Sequence, residues 1–150
     1  MYGTAMSCAI NPRCGVVGDI LPVPENERKH VMVIGGGPAG MMAAQTLTKR
    51  GHKVSLYEKQ DHLGGLLVDA CLVPFKQLMR EYLVWDIKQT YACGADIHLS
   101  TPVTPELVEE LAPDAVIVAT GSRYLRPNIP GIDGENVAML TDVELSLIHI

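Results

Sequence analysis

The sequence lacks an excess of positive charge and a long apolar run. Its 150 residues include 12 lysines and arginines and 17 aspartates and glutamates, a formal net charge of -5. Without a broad positive field, binding to nucleic acid or to an anionic membrane is disfavoured as the main role. The most apolar stretch, residues 31–44, contains three consecutive glycines and a proline. It is shorter than the ~20 apolar residues that span a bilayer, so we predict no transmembrane segment.

Cysteines are few, and their positions 8, 14, 71 and 93 do not have the spacing of a disulfide framework. Persistent disulfides belong to oxidising compartments, so this usage favours a reducing cytoplasm. The first fifteen residues show no basic leader before an apolar run, and we therefore expect no secretory signal.

The sequence also lacks the side-chain patterns of common catalytic centres. No Ser-His-Asp arrangement, redox Cys-x-x-Cys pair or paired carboxylates is evident. His52, His62 and His98 have no matched carboxylate or nucleophile, and we expect them to be solvated or satisfied by neighbours. Cys71 and Cys93 lie beside apolar residues and are predicted to pack. We predict no catalytic residue in this chain.

Strand and helix patterns alternate after an irregular arm. The arm contains Pro22, Pro24 and a polar run, and we expect it to end near Arg28. Strand patterns follow in "HVMVIG", "HKVSLYEK", "ADIHLS" and "DAVIVAT", with helix patterns between them. This alternation predicts an α/β fold with a mostly parallel sheet and helices on both faces. The length and a hydrophobic content of 47% suit one domain or part of one.

The longest helix pattern is "PFKQLMREYLVWDIKQTYACG", with Pro74 in its first turn and Gly94 at its end. Its apolar residues recur every three or four positions, which predicts an amphipathic helix. These residues are Phe75, Leu78, Met79, Tyr82, Leu83, Ile87 and Tyr91. The shorter pattern "TPELVEEL" predicts a helix capped by Thr104.

The strongest local signal is "VIGGGPAG", the spacing Gly35-x-Gly37-x-x-Gly40 between a strand and a helix. In this pattern Gly35 permits the tight turn, Gly37 lets the backbone approach a pyrophosphate, and Gly40 lets the helix pack against the strand. The helix N-terminus offers N–H groups and a positive dipole end to phosphates. The motif predicts a dinucleotide site in a Rossmann-like domain.

The second strand pattern ends in Glu58, 23 residues after Gly35. The acid that hydrogen-bonds ribose hydroxyls is expected about 20 residues after the glycines. A carboxylate there disfavours the 2′-phosphate of NADP. The residues alone therefore leave FAD and NAD as candidate ligands.

The stretch "VMVIGGGPAGMMAAQTLTKRGHKVSLYEKQDHLGG" resembles the FAD-binding segment of flavoproteins with two dinucleotide-binding domains. The stretch "DAVIVATGSRYLRPNIPGIDG" is similar to the part of those chains that passes the flavin and turns toward the NAD(P)H domain. The resemblance selects FAD and implies its contacts. Small residues are suited to places where the main chain must touch a ligand.

By that resemblance, the glycine loop would line the pyrophosphate, and the end of the second strand would meet the adenosine ribose. The glycines that follow would pass near the pyrophosphate and the ribityl chain. The backbone after the third strand would meet adenine, and the end of the fourth strand would bring backbone close to the cofactor. The implied residues, in that order, are Gly35, Gly37, Pro38, Ala39 and Gly40; Glu58 and Lys59; Gly64, Gly65 and Leu66; Val103; and Ala119, Thr120 and Gly121.

Near the start, "SCAINPRCG" resembles the end of an iron–sulfur segment in one such family. That family includes old yellow enzyme-type NADH:flavin oxidoreductases, 2,4-dienoyl-CoA reductase and trimethylamine dehydrogenase. There an FMN-bearing barrel and a 4Fe-4S segment precede the FAD-like domain. The resemblance makes Cys8 the fourth cluster ligand. A four-iron cluster takes four cysteine thiolates, so three more would lie upstream.

This resemblance implies part of a flavin- and iron–sulfur-dependent oxidoreductase in which electrons pass from NAD(P)H through FAD and the cluster to FMN and an unsaturated substrate. Two alternatives remain open. One is an electron-delivery flavoprotein like the small subunit of glutamate synthase. The other is a regulatory module that binds NAD without transferring electrons. We expect the fragment alone to be inactive on substrate.

Residues 145–150, "LSLIHI", are the translation of a reading frame that resembles a transposase-based sequencing adaptor. We interpret them as an assembly artefact and exclude them from fold reasoning. The predicted organisation is therefore an iron–sulfur remnant and linker at 1–28, a partial Rossmann-like FAD/NAD(P)-binding domain at 29–144, and the artefact at 145–150.

Overall fold

A computed structural model describes residue 8 and residues 13–15, 18–123 and 125–138. Its sheet has four parallel strands: β1 (His30–Ile34), β2 (Lys53–Tyr57), β3 (Asp96–His98) and β4 (Ala115–Val118). The strand order is β3-β2-β1-β4. Val31 pairs with Val54 on one side and with Ala115 on the other, and Leu56 pairs with Ile97. The predicted parallel α/β fold is confirmed.

Four helices connect or follow these strands: α1 (Pro38–Lys49), α2 (Leu66–Ala70), α3 (Gln77–Ala92) and α4 (Pro105–Leu111). Short 3₁₀ turns cover Glu25–Glu27 and Pro74–Lys76. The crossover through α1 and the crossover through α4 run in opposite directions along the sheet. Because crossovers between parallel strands are right-handed, α1 and α4 lie on opposite faces. No helix within these described ranges is long and apolar enough to cross a membrane.

Helix boundaries follow most of the sequence signals, but α3 begins at Gln77, because Pro74 lies in the preceding 3₁₀ turn and not in the helix itself. Pro38 occupies the first turn of α1, and Gly51 follows its end with a φ of +90°. Thr104 caps α4, where its hydroxyl oxygen accepts a hydrogen bond from the backbone N–H of Leu107 at 3.4 Å. Gly94, with a φ of +89°, follows α3. The sequence patterns do not predict α2, which has only five residues.

The core lies between the sheet and the pair α1 and α3. Met41 and Ala44 of α1 are fully buried, and Val33 and Leu56 of the sheet are buried beside them. The remaining buried members of this cluster are Val54, Leu63, Cys71 and Leu83. Cys71 is 2% exposed, as predicted, and burial raises the pKa of its thiol. At the sheet edge, by contrast, Val118 of β4 is 70% exposed.

The predicted apolar face of the third helix is right only in part. Met79, Leu83 and Ile87 pack against the core. Phe75 and Leu78 are 85% and 78% exposed, and Tyr91 is also exposed. Polar residues of the same helix occupy interior positions that the apolar residues were expected to fill.

Those interior positions belong to Asp86 and Thr90, both fully buried. Gln45 of α1 donates from Nε2 to Asp86 Oδ1 at 2.7 Å and to Thr90 Oγ1 at 2.9 Å. Asp86 Oδ2 is buried and has no hydrogen-bond partner among the described residues. Burial raises the pKa of Asp86, an effect that the bond from Gln45 partly offsets. A polar cluster therefore joins α1 to α3 where the sequence pattern suggested apolar contact.

Candidate functional site

The glycine loop lies at the carboxyl edge of the sheet. Gly35 follows β1, and its N–H donates to Tyr57 O at 2.8 Å, while Ala119 after β4 donates to Ile34 O at 2.8 Å. The chain passes from β1 to β2 and β3 on one side, then returns to β4 on the other. In open α/β sheets, ligands bind at such a point, where the strand order reverses.

Two glycines of the loop are required by the protein's own packing. Gly35 has a φ of +109°, and a Cβ atom there would overlap the carbonyl group of Ala119. A Cβ atom on Gly40 would overlap the carbonyl oxygen of Gly35. These residues therefore set the close contacts of β1 with β4 and of α1 with the loop.

Gly37 has no such internal requirement. Its φ of -75° is one that any residue adopts, and the nearest atom to a Cβ atom there would be Gly65 Cα at 4.0 Å. It is the N-cap of α1, and its carbonyl accepts the bond from Met41 N at 2.9 Å. The N–H groups of the first turn have no acceptor within the helix, and this turn contains no acidic residue. The open space beside Gly37 thus adjoins a helix end that favours an anion.

Glu58 is only 7% exposed. Its Oε2 accepts a hydrogen bond from the backbone N–H of Gly36 at 2.6 Å, and its Oε1 accepts one from the N–H of Gln60 at 2.8 Å. The carboxylate therefore holds the glycine loop in place. Each carboxylate oxygen has a further lone pair with which it can accept a hydroxyl donor.

The second glycine pair, Gly64 and Gly65, lies opposite the glycine loop. Gly64 N donates to Gly36 O at 2.8 Å, which ties the two loops together. Both glycines have positive φ values, +118° and +53°. They direct the chain into α2, whose residues form part of the wall of a cleft.

A cleft of about 660 Å³ opens between these segments. Most of the residues implied by the resemblance line it: Gly35, Gly37, Pro38, Ala39, Glu58, Lys59, Gly65, Leu66, Ala119, Thr120 and Gly121. Gly40, Gly64 and Val103 do not line it. Gly40 and Gly64 instead contact the loops that form the cleft. The volume of the cleft is typical of small-molecule and cofactor sites.

The family model described as pyridine nucleotide-disulphide oxidoreductase matches residues 29–146. The chain belongs to this family. The match spans both glycine loops, Glu58 and the end of β4, which are the segments that form the cleft.

Individual proteins are also similar to this chain in sequence or in structure. A NADH oxidase of Thermoanaerobacter brockii is 41% identical over 134 residues, covering 87% of this chain and 20% of that protein. A cinnamate reductase of Clostridium sporogenes is 37% identical over 128 residues, covering 85% and 19%. The structure of a 2-naphthoyl-CoA reductase complex matches with a TM-score of 0.83 and 32% identity, covering 95% of this chain and 22% of that one. The chain thus spans about a fifth of the length of these relatives.

Sequence analysis did not predict several residues that line the cleft of this chain. They are Gln60, His62, Leu67, Asp69, Ala70 and Ser122. Three of them, Gln60, Leu67 and Ser122, follow a predicted residue directly in the chain, and three belong to α2, which no pattern predicts. The carboxylate of Asp61 contacts His62 Nδ1 at 2.6 Å, and this hydrogen bond lowers the pKa of Asp61. His62 is therefore satisfied by a neighbour, as expected, although this neighbour is a carboxylate, which the sequence analysis did not assign to it; His62 also lines the cleft.

The cysteines do not form a metal centre within the part of the chain that the structure describes. Cys8 is exposed, and Cys14 and Cys93 are half-buried. No group of three or more histidine, cysteine, aspartate or glutamate side chains close enough to hold a metal ion occurs among the described residues. The predicted ligand role of Cys8 stays a prediction. The interpretation of residues 145–150 concerns positions outside the described residues.

Proposed function

We propose that this chain is the FAD-binding part of an NAD(P)H-dependent flavin and iron–sulfur oxidoreductase. The observation that carries the proposal is the open space beside Gly37, bounded by the N-terminus of α1 and the buried Glu58. Gly37 is a glycine although neither its backbone conformation nor its protein neighbours require one. A ligand that approaches the main chain is a physical reason for that choice.

The lining residues fit an adenine dinucleotide. The N–H groups at the start of α1 would bind the pyrophosphate, because they carry the positive end of the helix dipole. Glu58 would accept hydroxyl donors from the adenosine ribose with the lone pairs that Gly36 and Gln60 leave available. Lys59 lies at the same end of the cleft. Gly65 and Leu66 would lie along the ribityl chain, and Ala119, Thr120 and Gly121 would bring backbone to the cofactor from β4.

Bound FAD would supply the redox chemistry, while the protein binds and orients it. We assign no catalytic acid or base to this chain. The relatives include an NADH oxidase, a cinnamate reductase and a 2-naphthoyl-CoA reductase, which supports NAD(P)H as the electron source and an unsaturated compound as the acceptor. These partners would bind to parts of the protein outside this chain, in the cytoplasm.

The iron–sulfur part of the proposal rests on the segment around Cys8. The structural match to the 2-naphthoyl-CoA reductase covers 95% of the chain and so extends into the arm before residue 29, where the family model begins. This supports a likeness that continues before the family domain. On this proposal Cys8 would supply one thiolate to a 4Fe-4S cluster, and FMN would be held by a preceding domain.

The first test is a long DNA read through both ends of the reading frame. The proposal expects three further cysteine codons upstream, after a coding region long enough for a barrel. It also expects a second glycine-rich nucleotide motif downstream. Cysteines without a barrel would favour the electron-delivery subunit instead.

The second test is cofactor analysis of the intact protein, purified without oxygen. Denaturation should release FAD and FMN, which chromatography separates, and iron should be present at about four atoms per chain. A colourless protein that binds NAD and contains no flavin would contradict the proposal and support the regulatory module.

A further inference from the structure

One wall of the cleft is a very short helix. Leu66, Leu67, Asp69 and Ala70 of α2 line the cleft, and none of the five residues of α2 is fully buried. Helix formation is cooperative, and so short a segment does not hold its conformation by itself. The position of this wall therefore depends on contacts outside α2: Leu67 and Val68 pack against the core, and both ends are bonded to neighbouring segments.

The C-terminal end of α2 is held by Arg80 of α3. Arg80 Nη2 donates to Cys71 O at 2.8 Å and to Leu72 O at 3.1 Å, and Nε donates to Cys71 O at 3.3 Å. Carbonyl groups at a helix C-terminus have no partner within the helix and carry the negative end of its dipole. A guanidinium group satisfies both needs, because its planar donors can reach two carbonyls at once.

The N-terminal end of α2 is held by the backbone. Gly64 N donates to Gly36 O at 2.8 Å, and Gly64 lies directly before the N-cap residue Gly65. The wall is thus tied to the glycine loop at one end and to α3 at the other. Arg80 is the side chain whose substitution would change the contact between the end of α2 and α3.

We propose that Arg80 is a positioning residue for the cofactor site: by binding the carbonyls of Cys71 and Leu72, it fixes α2 against the ribityl side of the dinucleotide. This role rests on the proposed FAD site. Arg80 does not line the cleft. Because α2 contributes no fully buried residue and only Leu67 and Val68 pack partly against the core, loosening it should affect the ligand more than the fold.

The experiment compares Arg80→Met, Arg80→Lys and the matched control Lys88→Met in the full-length protein. Lys88 is an exposed residue of the same helix, so its substitution removes the same charge without touching α2. After FAD is removed, each protein is titrated with FAD and, separately, with ADP. ADP contains the adenosine and pyrophosphate but not the ribityl chain or flavin ring.

Arg80→Met should raise the Kd for FAD by roughly tenfold, the size expected for losing charge-assisted hydrogen bonds. The Kd for ADP should change by less than about twofold, within the error of such values. Arg80→Lys should fall between Arg80→Met and the unsubstituted protein, since an ammonium can bind one carbonyl but not both. Lys88→Met should bind FAD normally.

Two results would overturn this role. Unchanged FAD binding in Arg80→Met would show that α2 does not need the guanidinium. An equal loss of FAD and ADP binding, together with a lowered Tm, would show that Arg80 only stabilises the fold. Failure of the unsubstituted protein to bind FAD would instead overturn the proposed function, and the role of Arg80 with it.

Discussion

Gly35 and Gly40, five residues apart, differ from Gly37, which lies between them. At Gly35 and Gly40 the place of a side chain is filled by backbone of the protein itself. At Gly37 the same place is open and faces the cleft. One motif therefore contains residues that the fold requires and a residue that the fold leaves open toward the proposed ligand. Adding a methyl group at each position separates the two roles.

The largest effect is expected for Gly40→Ala. The new methyl group would overlap the carbonyl oxygen of Gly35, which belongs to the backbone and cannot turn away. We expect the free energy of unfolding to fall by about 3 kcal/mol, the upper end of overpacking costs. Urea unfolding followed by circular dichroism measures it. A loss below about 1 kcal/mol would show that α1 can shift away from β1.

Gly37→Ala is the matched substitution at the open position. Its methyl group would meet nothing closer than Gly65 Cα at 4.0 Å, so stability should fall by no more than about 1 kcal/mol, the cost of alanine at an N-cap. The Kd for FAD should nevertheless rise roughly tenfold or more, since the backbone could no longer approach the pyrophosphate. Flavin fluorescence titration measures this. Normal FAD binding would remove the ligand-based reason for Gly37.

Glu58→Gln tests a residue that supports the glycine loop and is also proposed to contact the ligand. The amide nitrogen of glutamine would face the N–H group of either Gly36 or Gln60, where the carboxylate now accepts. We expect a loss of about 2 kcal/mol in the free energy of unfolding. FAD binding should weaken as well. Glu109→Gln, an exposed change on α4, is the control and should leave both quantities unaltered.

The smallest effect is expected away from the cleft, at Asp86. Burial raises the pKa of Asp86 in the folded protein, so folding favours its protonated form. The stabilisation that the protonated Asp86 carboxyl contributes is fully present below the unfolded-state pKa, near 3.8. This stabilisation is lost as pH rises through the folded-state pKa. Asp86→Asn should therefore gain stability relative to the unsubstituted protein as pH rises from about 4 to 7. Thermal unfolding at several pH values measures this, and a pH-independent difference would contradict it.

The sequence predicts the β1–α1–β2 unit well because its signals are local. Pro38, Gly51 and the apolar strand residues each act on a neighbouring turn or strand. The burial of Glu58 is different, since it depends on the Gly36 N–H, which is 22 residues distant in the chain. From sequence, Glu58 could be assigned to a ribose but not recognised as a support for the loop.

Contacts between distant segments also explain the two errors along residues 66–92. α2 has no sequence signal because its ends are fixed by Gly36 and Arg80 rather than by its own composition. Part of the inner face of α3 is polar because Gln45 of α1 supplies partners for Asp86 and Thr90. A pattern of apolar residues alone cannot anticipate such a pairing, and it therefore assigned Phe75 and Leu78 to the wrong environment.

The contact between Gly35 and Ala119 joins positions 84 residues apart. During synthesis on the ribosome, the first strand of the sheet leaves the exit tunnel long before the strand that completes this contact. Pairings between distant segments form late and slowly. The cleft can therefore close only after β4 has docked. A bound dinucleotide would hold the beginning and the end of the sheet together and protect the late-docking edge from proteolysis.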